Sequence, residues 1–336
     1  MYRIALDVMG GDYAPQVVLK GAELALKAYP EIILYLVGRE ELLKKYEKEE
    51  RIKTVYTEEF VKMDEPPSEA LKKKRNASIF KGLELLKEDQ ADAFVSAGNS
   101  GAIVAGSIFI LGRIKGVRRP AIATFLPTLK DPMVLIDAGA NVDSKAYDLY
   151  QFGLMASLFL EHIWHRDKPK IALLSIGEET GKGNQLVKEA HKLFQNSKLN
   201  YYGNIEGRDL YKGLVDVVVC DGFIGNICLK LSEGLAETIF EMLKNEVKKS
   251  YLYILGMFLA KGALKAFKKK ADWREYGGAP LLGVKGNVII SHGKSDAYAI
   301  KNAIRQALHF AKIDLYKKLE RASEENLLEE EKVEEE

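Results

Sequence analysis

Ten short apolar runs punctuate the chain: RIAL (3–6), IILYLVG (32–38), KTVY (53–56), DAFVSAG (92–98), AIATFLP (121–127), MVLIDAG (133–139), KIALLSIG (170–177), NYYGNI (200–205), VDVVVCDG (215–222) and GNVIISHG (286–293). Several are β-branched and apolar throughout, without the alternation of a half-exposed strand. Such runs fit strands buried on both faces, as in a parallel sheet covered by helices. Helical patterns follow most of them, over 16–28, 40–48, 68–87, 100–111, 146–162, 184–195, 223–249 and 295–321. This βαβα alternation predicts a doubly wound, three-layer α/β/α fold. It reads as a single catalytic unit over 1–322, of one or two lobes, followed by a tail over 323–336.

The junctions between run and helix share a vocabulary. DVMGGD (7–12), SAGNSGA (96–102), DAGANVD (137–143), SIGEETGKGN (175–184) and CDGFIGN (220–226) each close a buried strand with glycine, small residues, Asn or Asp. In open α/β sheets, ligands sit outside the carboxyl ends of the strands. Helix N-termini there offer unpaired N–H groups and the positive end of a dipole, which suit phosphate. Five such turns are expected on one sheet edge, where they would form an anion-binding crevice.

Several familiar chemistries are excluded. IGEETGKGN fails as a nucleotide-binding loop, because Gly177 and Gly181 enclose three residues rather than four and Gly183 replaces the magnesium-holding hydroxyl. No GxGxxG follows the first strand and no GxSxG occurs. The cysteines, Cys220 and Cys228, have no CxxC spacing, and the five histidines form no HExxH. No metal and no cofactor are therefore expected, and the cysteine usage fits a reducing cytoplasm. Cys220 reads as an inert core thiol. What remains is a crevice with amide and lysine donors but no obvious protein nucleophile. Such a site suits attack by the bound anion itself. Inorganic phosphate attacking an activated acyl group needs positioning, charge compensation and donors for the developing oxyanion.

Taken together, DVMGGDYAP, SAGNSGA, GRIKGVRRPAIATFLPT, DAGANVD, GKGN, DGFIGN, YGGAPLLGVKG and HGKSDAYAIKNAIRQA resemble the bacterial phosphate acyltransferase (PlsX) family, in matching order from residue 2 to about 312. The resemblance implies transfer of a fatty acyl group from acyl carrier protein to inorganic phosphate, giving acyl phosphate for phospholipid synthesis. It implies a homodimer and a fold related to phosphate acetyltransferases and isocitrate dehydrogenases. It also implies a cytoplasmic enzyme that visits the anionic membrane surface and passes its product to a membrane glycerol-3-phosphate acyltransferase, with no nucleic-acid partner. Two alternatives stay open on the residues: a soluble phosphate acetyl- or butyryltransferase using acyl-coenzyme A, and a non-catalytic adaptor that binds carrier protein.

Lys182, between two glycines at a helix start, is the expected phosphate contact; an exposed loop lysine is the plain alternative. Asn184 and Asn226 are expected to donate to the thioester oxygen or to phosphate, although Asn also serves as a cap and turn residue. Asp221 orients Lys182 or caps the following helix. These four form the expected catalytic set. Gly98, Asn99, Ser100, Asn141 and Gly222 are expected to bind substrate or phosphate through amide and hydroxyl donors. Gly10 and Gly11 let backbone approach an anion closely. Asp7 and Asp12 read as orienting acids within the same wall. His292, in a glycine-bearing turn, is read as structural or substrate-positioning, since a thiol of reference pKa about 8.5 leaves without an acid.

The formal net charge of +2 hides an asymmetry, because the tail over 323–336 carries eight Glu and one Lys, or −7, leaving +9 on the rest. The tail reads as solvated and disordered. The basic body suits an acidic partner. KKSYLYILGMFLAKGALKAFKKK (248–270) holds seven lysines and no acid, and its uncharged run of 11 residues (250–260) is too short to span a bilayer. At continuous helical spacing Lys261, Lys265, Lys268 and Lys269 share one face, and Leu252, Leu255, Leu259, Ala263 and Phe267 another. The segment over 248–271 is a basic amphipathic helix that docks on lipid through Leu252, Leu255, Phe258, Leu259, Lys261 and Lys265, or a core or dimer helix. The resemblance favours the membrane.

Overall fold

The computed structural model describes the backbone of residues 1–334 and the side chains of residues 1–267, 270, 272 and 274–325. The side chains of Lys268 and Lys269, and residues 335–336 of the acidic tail, lie outside the described residues. The chain begins β1 (Tyr2–Asp7), α1 (Gln16–Ala28), β2 (Ile32–Gly38), α2 (Glu40–Leu43), β3 (Ile52–Tyr56), α3 (Pro67–Lys73), α4 (Ser78–Lys87), β4 (Ala93–Ser96) and α5 (Ser100–Gly106). It continues with β5 (Ala121–Leu126), β6 (Met133–Ile136), α6 (Ala146–Trp164), β7 (Ile171–Ser175), α7 (Gln185–Gln195), β8 (Tyr201–Glu206) and β9 (Val217–Val219). Then come α8 (Gly222–Val247), α9 (Tyr251–Leu259), α10 (Lys261–Ala271), β10 (Ala279–Leu282), β11 (Val288–Ile290), α11 (Ala297–Ile313) and α12 (Leu315–Glu334).

All these strands join one sheet in the order β3-β2-β1-β4-β11-β10-β5-β6-β9-β7-β8. Along β1, Ile4 and Leu6 enter the core beneath α1 and α11, while Ala5 joins the opposite layer with Phe80 of α4 and Ala102 of α5. Both faces are covered, which is why these strands lack polar alternation. The expected three layers are present.

The sheet is not wholly parallel, and this corrects the expected geometry of the crevice. β10 runs antiparallel to both β11 and β5, and β5 runs antiparallel to β6. Strand direction therefore reverses between the two halves. The carboxyl ends of β1, β4 and β11 face one edge, and those of β6, β9 and β7 face the other. The five glycine turns do not share one edge. The expected helix over 68–87 is also interrupted. Residues 74–77 leave helical conformation where the neighbouring loop binds them, with Thr57 Oγ1 donating to the Asn76 carbonyl and Ser78 N–H to that of Glu59.

From β9 the chain runs out into an arm. The 26 residues of α8 bury just two, Gly222 and Gly225, and α9 buries none. The amphipathic segment is not one continuous helix, because it breaks at Ala260 into α9 and α10. α10 turns back alongside α8, where Phe267 and Phe240 lie with ring centroids 5.9 Å apart. Among the described residues no helix is long and apolar enough to cross a membrane.

Candidate active site

Each half of the sheet ends a central strand on a buried aspartate that organises the next turn. In the first half Asp7 accepts the Met9 N–H at 3.0 Å and the Ser96 hydroxyl at 2.7 Å, and Ser96 Oγ accepts the Gly98 N–H at 3.0 Å. This clamps the turn after β1 to the turn after β4. A Cβ on Gly10 would stand 2.4 Å from Asp7 Oδ2 and 2.7 Å from the Gly98 nitrogen, so the close approach requires glycine. The Asp12 N–H then donates to the Gly293 carbonyl at 2.8 Å, adding the turn after β11.

In the second half Asp137 is the hub. Its carboxylate accepts the N–H groups of Ile122, Gly139, Ala140 and Asn141 and the Asn141 side-chain amide, at 2.7–3.1 Å. The start of α8 docks directly on this turn. The Gly222 N–H donates to the Asn141 carbonyl at 2.8 Å, and a Cβ on Gly225 would fall 1.8 Å from the Asp137 carbonyl oxygen. That contact carries Asn226 to the turn, beside Gly139. Burial pushes the carboxyls of Asp7 and Asp137 above the usual carboxylate range, against the hydrogen bonds that favour the charged form.

The two halves meet at a cavity of about 900 Å³ over the middle of the sheet. Asp12, Ser100 and His292 line it from the first half, and Gly139 and Asn226 from the second. Ile122, Thr124 and Leu126 of β5 line it with Leu229, Leu235 and Ile239 of α8, so apolar side chains and polar turns share the one cavity. His292 ties the turn after β11 to α8. Its Nδ1 accepts the Lys294 N–H at 3.1 Å, while Nε2 lies 2.9 Å from Lys230 Nζ and 3.4 Å from Glu233 Oε2. Burial raises the Glu233 carboxyl, yet hydrogen bonds from His292 and Lys230 outweigh it and hold the group below its ordinary value.

Asp12, Ser100, Asn226 and His292 are thus brought to one cavity. Other expected site residues are spent on structure. Asn99 donates its amide to the carbonyls of Lys62, Met63 and Glu65 and caps α5 through the Ala102 N–H. Asn141 Nδ2 binds the Pro120 carbonyl and Asp137. Asn184 caps α7 through the Val187 N–H, and Asp221 caps α8 through that of Ile224. Lys182 stands exposed in the turn after β7 and does not line the cavity. That turn nevertheless shares its edge with Asn226, since β7 and β9 are paired neighbours. Cys220 is buried, and burial holds its thiol well above the ordinary value, so it offers no ready thiolate.

Asp137, Lys230 and Glu233 were not among the residues expected at the site. Asp137 has a legible signal, because DAGAN repeats the acid-then-glycine pattern of DVMGG. Lys230 and Glu233 have none, since their partner His292 is 62 residues from Lys230.

A family model described as fatty acid synthesis protein matches residues 2–318. A phosphate acyltransferase of Dictyoglomus thermophilum is 51% identical over 325 residues, covering 94% of this chain and 96% of that one. A phosphate acyltransferase of Thermoanaerobacter pseudethanolicus is 48% identical over 314 residues, covering 93% and 95%. Among solved structures, a branched-chain phosphotransacylase from Enterococcus faecalis superposes with a TM-score of 0.60 at 15% identity, over 93% of this chain and 99% of that one. A phosphotransacetylase from Streptococcus pyogenes gives 0.58 at 20% identity, over 96% and 94%. At those identities the likeness speaks to fold alone.

Proposed function

The chain belongs to the phosphate acyltransferase family, and on that premise we propose that it transfers a fatty acyl group from acyl carrier protein to inorganic phosphate. One observation carries the reading: a single cavity brings together apolar side chains of β5 and α8, of acyl-chain character, and the polar turns of both half-sheets. A phosphate oxygen attacks the thioester carbonyl carbon, the C–O bond forms and the C–S bond breaks. The proton lost by hydrogen phosphate ends on the departing carrier thiolate, so no acid or base is consumed. Asn226, exposed beside Gly139, serves the developing oxyanion as an amide donor. Lys182 compensates phosphate charge from the neighbouring turn of the same edge, and Ser100 and His292 position the donor.

The arm supports two further parts of the proposal. Outside the cavity, Ile227, Leu231 and Met242 form an exposed stripe along α8, with Leu231 69% and Met242 64% exposed. A stripe of this length suits an isologous dimer. Tyr251, Leu252, Leu255, Phe258 and Leu259 share one face of α9, Tyr253 and Ile254 stand exposed outside it, and Lys261 and Lys265 follow on α10. That order suits a tip entering an anionic lipid interface, where a long-chain acyl phosphate would be handed to a membrane acyltransferase. The donor tests the reading. Long-chain acyl carrier protein is expected to outperform acetyl-coenzyme A in phosphate-dependent thiol release; a preference for acetyl-coenzyme A contradicts it.

A further inference from the structure

We propose that the loop before β5, with Lys145 of the adjoining turn, is the docking surface for the acidic carrier protein. This rests on the donor proposed above. The loop reads RIKGVRR (113–119), four cations in seven residues with no acid. Arg113, Lys115, Arg118 and Arg119 are all exposed, and the adjoining turn adds exposed Lys145 and one exposed acid, Asp143. The cations are weakly neutralised. Asp148 is buried between Arg118 and Arg119, but their Nε atoms stay 3.7 and 3.8 Å from its oxygens, and Lys115 reaches Glu324 at 3.6 Å.

The loop is also held in place, as a docking surface must be. Gln151, itself buried, accepts the Arg118 N–H at 2.9 Å and donates to the Gly116 carbonyl at 2.7 Å. Arg113 donates to the Arg118 carbonyl, and the Arg118 guanidinium lies 5.6 Å from the Tyr147 ring centroid. Four residues upstream of Arg113, Phe109 is 79% exposed and offers an apolar anchor. An acidic protein surface with an apolar notch is complementary to this combination.

Position selects the carrier over other anions. At Pro120 the chain is fastened to the active-site turn by Asn141, and it then enters β5, whose Ile122, Thr124 and Leu126 line the cavity. The amino end of β5 shares its sheet edge with the carboxyl end of β6 and hence with the Asn226 and Lys182 turns. A partner seated on the loop stands where its thioester arm can enter the cavity alongside β5.

Two variants test this in full-length protein: Arg118→Ala with Arg119→Ala, and Arg113→Glu with Lys145→Glu, the latter leaving the Asp148 contacts intact. Each is expected to raise KM for acyl carrier protein about tenfold or more, with kcat within about twofold. Activity with long-chain acyl-coenzyme A as donor is expected to stay unchanged. The rise of KM with salt is expected to flatten in both variants. Wild-type turnover with acyl carrier protein and an unchanged KM in both variants overturns the docking surface alone. No wild-type turnover with acyl carrier protein overturns both the surface and the donor. An unchanged KM with reduced binding to anionic vesicles would make the loop a lipid contact instead.

Discussion

Asp7 and Asp137 show how much of the site a single residue decides. Each closes a buried strand and spends its carboxylate on the following turn, so the glycines beside it mark close approach rather than mobility. DVMGGD marks the first as an orienting acid that pairs with lysine or caps a turn, and its carboxylate accepts the Met9 N–H and the Ser96 hydroxyl. The capping roles of Asn184 and Asp221 were also legible as alternatives and that of Asn99 was not, because a sequence does not say whether an Asn side chain is already occupied. Lys182 is the residue on which the catalytic assignment turns. Lys182→Ala is expected to lower kcat/KM by roughly 10²-fold or more, as loss of one charge-stabilising donor does. Its thermal midpoint is expected to hold, because the side chain is exposed; full activity contradicts the assignment. Glu233 gives a pH test. Its carboxyl is depressed below an ordinary value of 4.5 despite burial. A depressed carboxylate lends stability that is fully present above that ordinary value and lost as pH falls through the native one. The urea-unfolding difference between wild type and Glu233→Gln is therefore expected to be constant near neutral pH and to shrink below about pH 4.5. A difference that grows on acidification contradicts the hydrogen-bonding account.

At the scale of elements, the long apolar strands were the most legible because burial on both faces leaves no ambiguity of period. β10 was missed, since it is four residues long and carries Pro280 inside GGAPLLG, which reads against a central strand. The arm was legible in composition but not in shape. Apolar residues at helical spacing look the same whether a helix is buried or bare, and here α8 and α9 leave them bare. The continuous face expected for 248–271 gives way to an apolar α9 and a lysine-bearing α10 on either side of Ala260. Leu255, Phe258 and Leu259 are 56%, 67% and 79% exposed. Each apolar side chain of this size gains about 1.5–3 kcal/mol when fully removed from water. Replacing all three with Asp is expected to abolish cosedimentation with anionic vesicles while leaving turnover of a soluble donor intact. Undiminished cosedimentation would return α9 to a protein interface.

At the scale of the whole molecule, the βα alternation and the glycine turns were readable, but strand direction was not. A run such as VVV or MVLI is apolar in either sense, so the reversal at β10, β5 and β6 leaves no mark on composition. That reversal places the cavity between two sets of turns rather than along one edge. Two hydroxyl and thiol candidates are already spent, because Cys220 is buried and the Ser96 hydroxyl is committed to Asp7. Direct attack of phosphate on the thioester is the central claim of the proposed function. Its most direct measurement is an acid quench of the enzyme with radiolabelled long-chain acyl carrier protein, with and without orthophosphate. The account predicts no acyl-protein bond without phosphate and stoichiometric acyl phosphate with it. A labelled acyl-enzyme formed without phosphate and discharged when phosphate is added would contradict it.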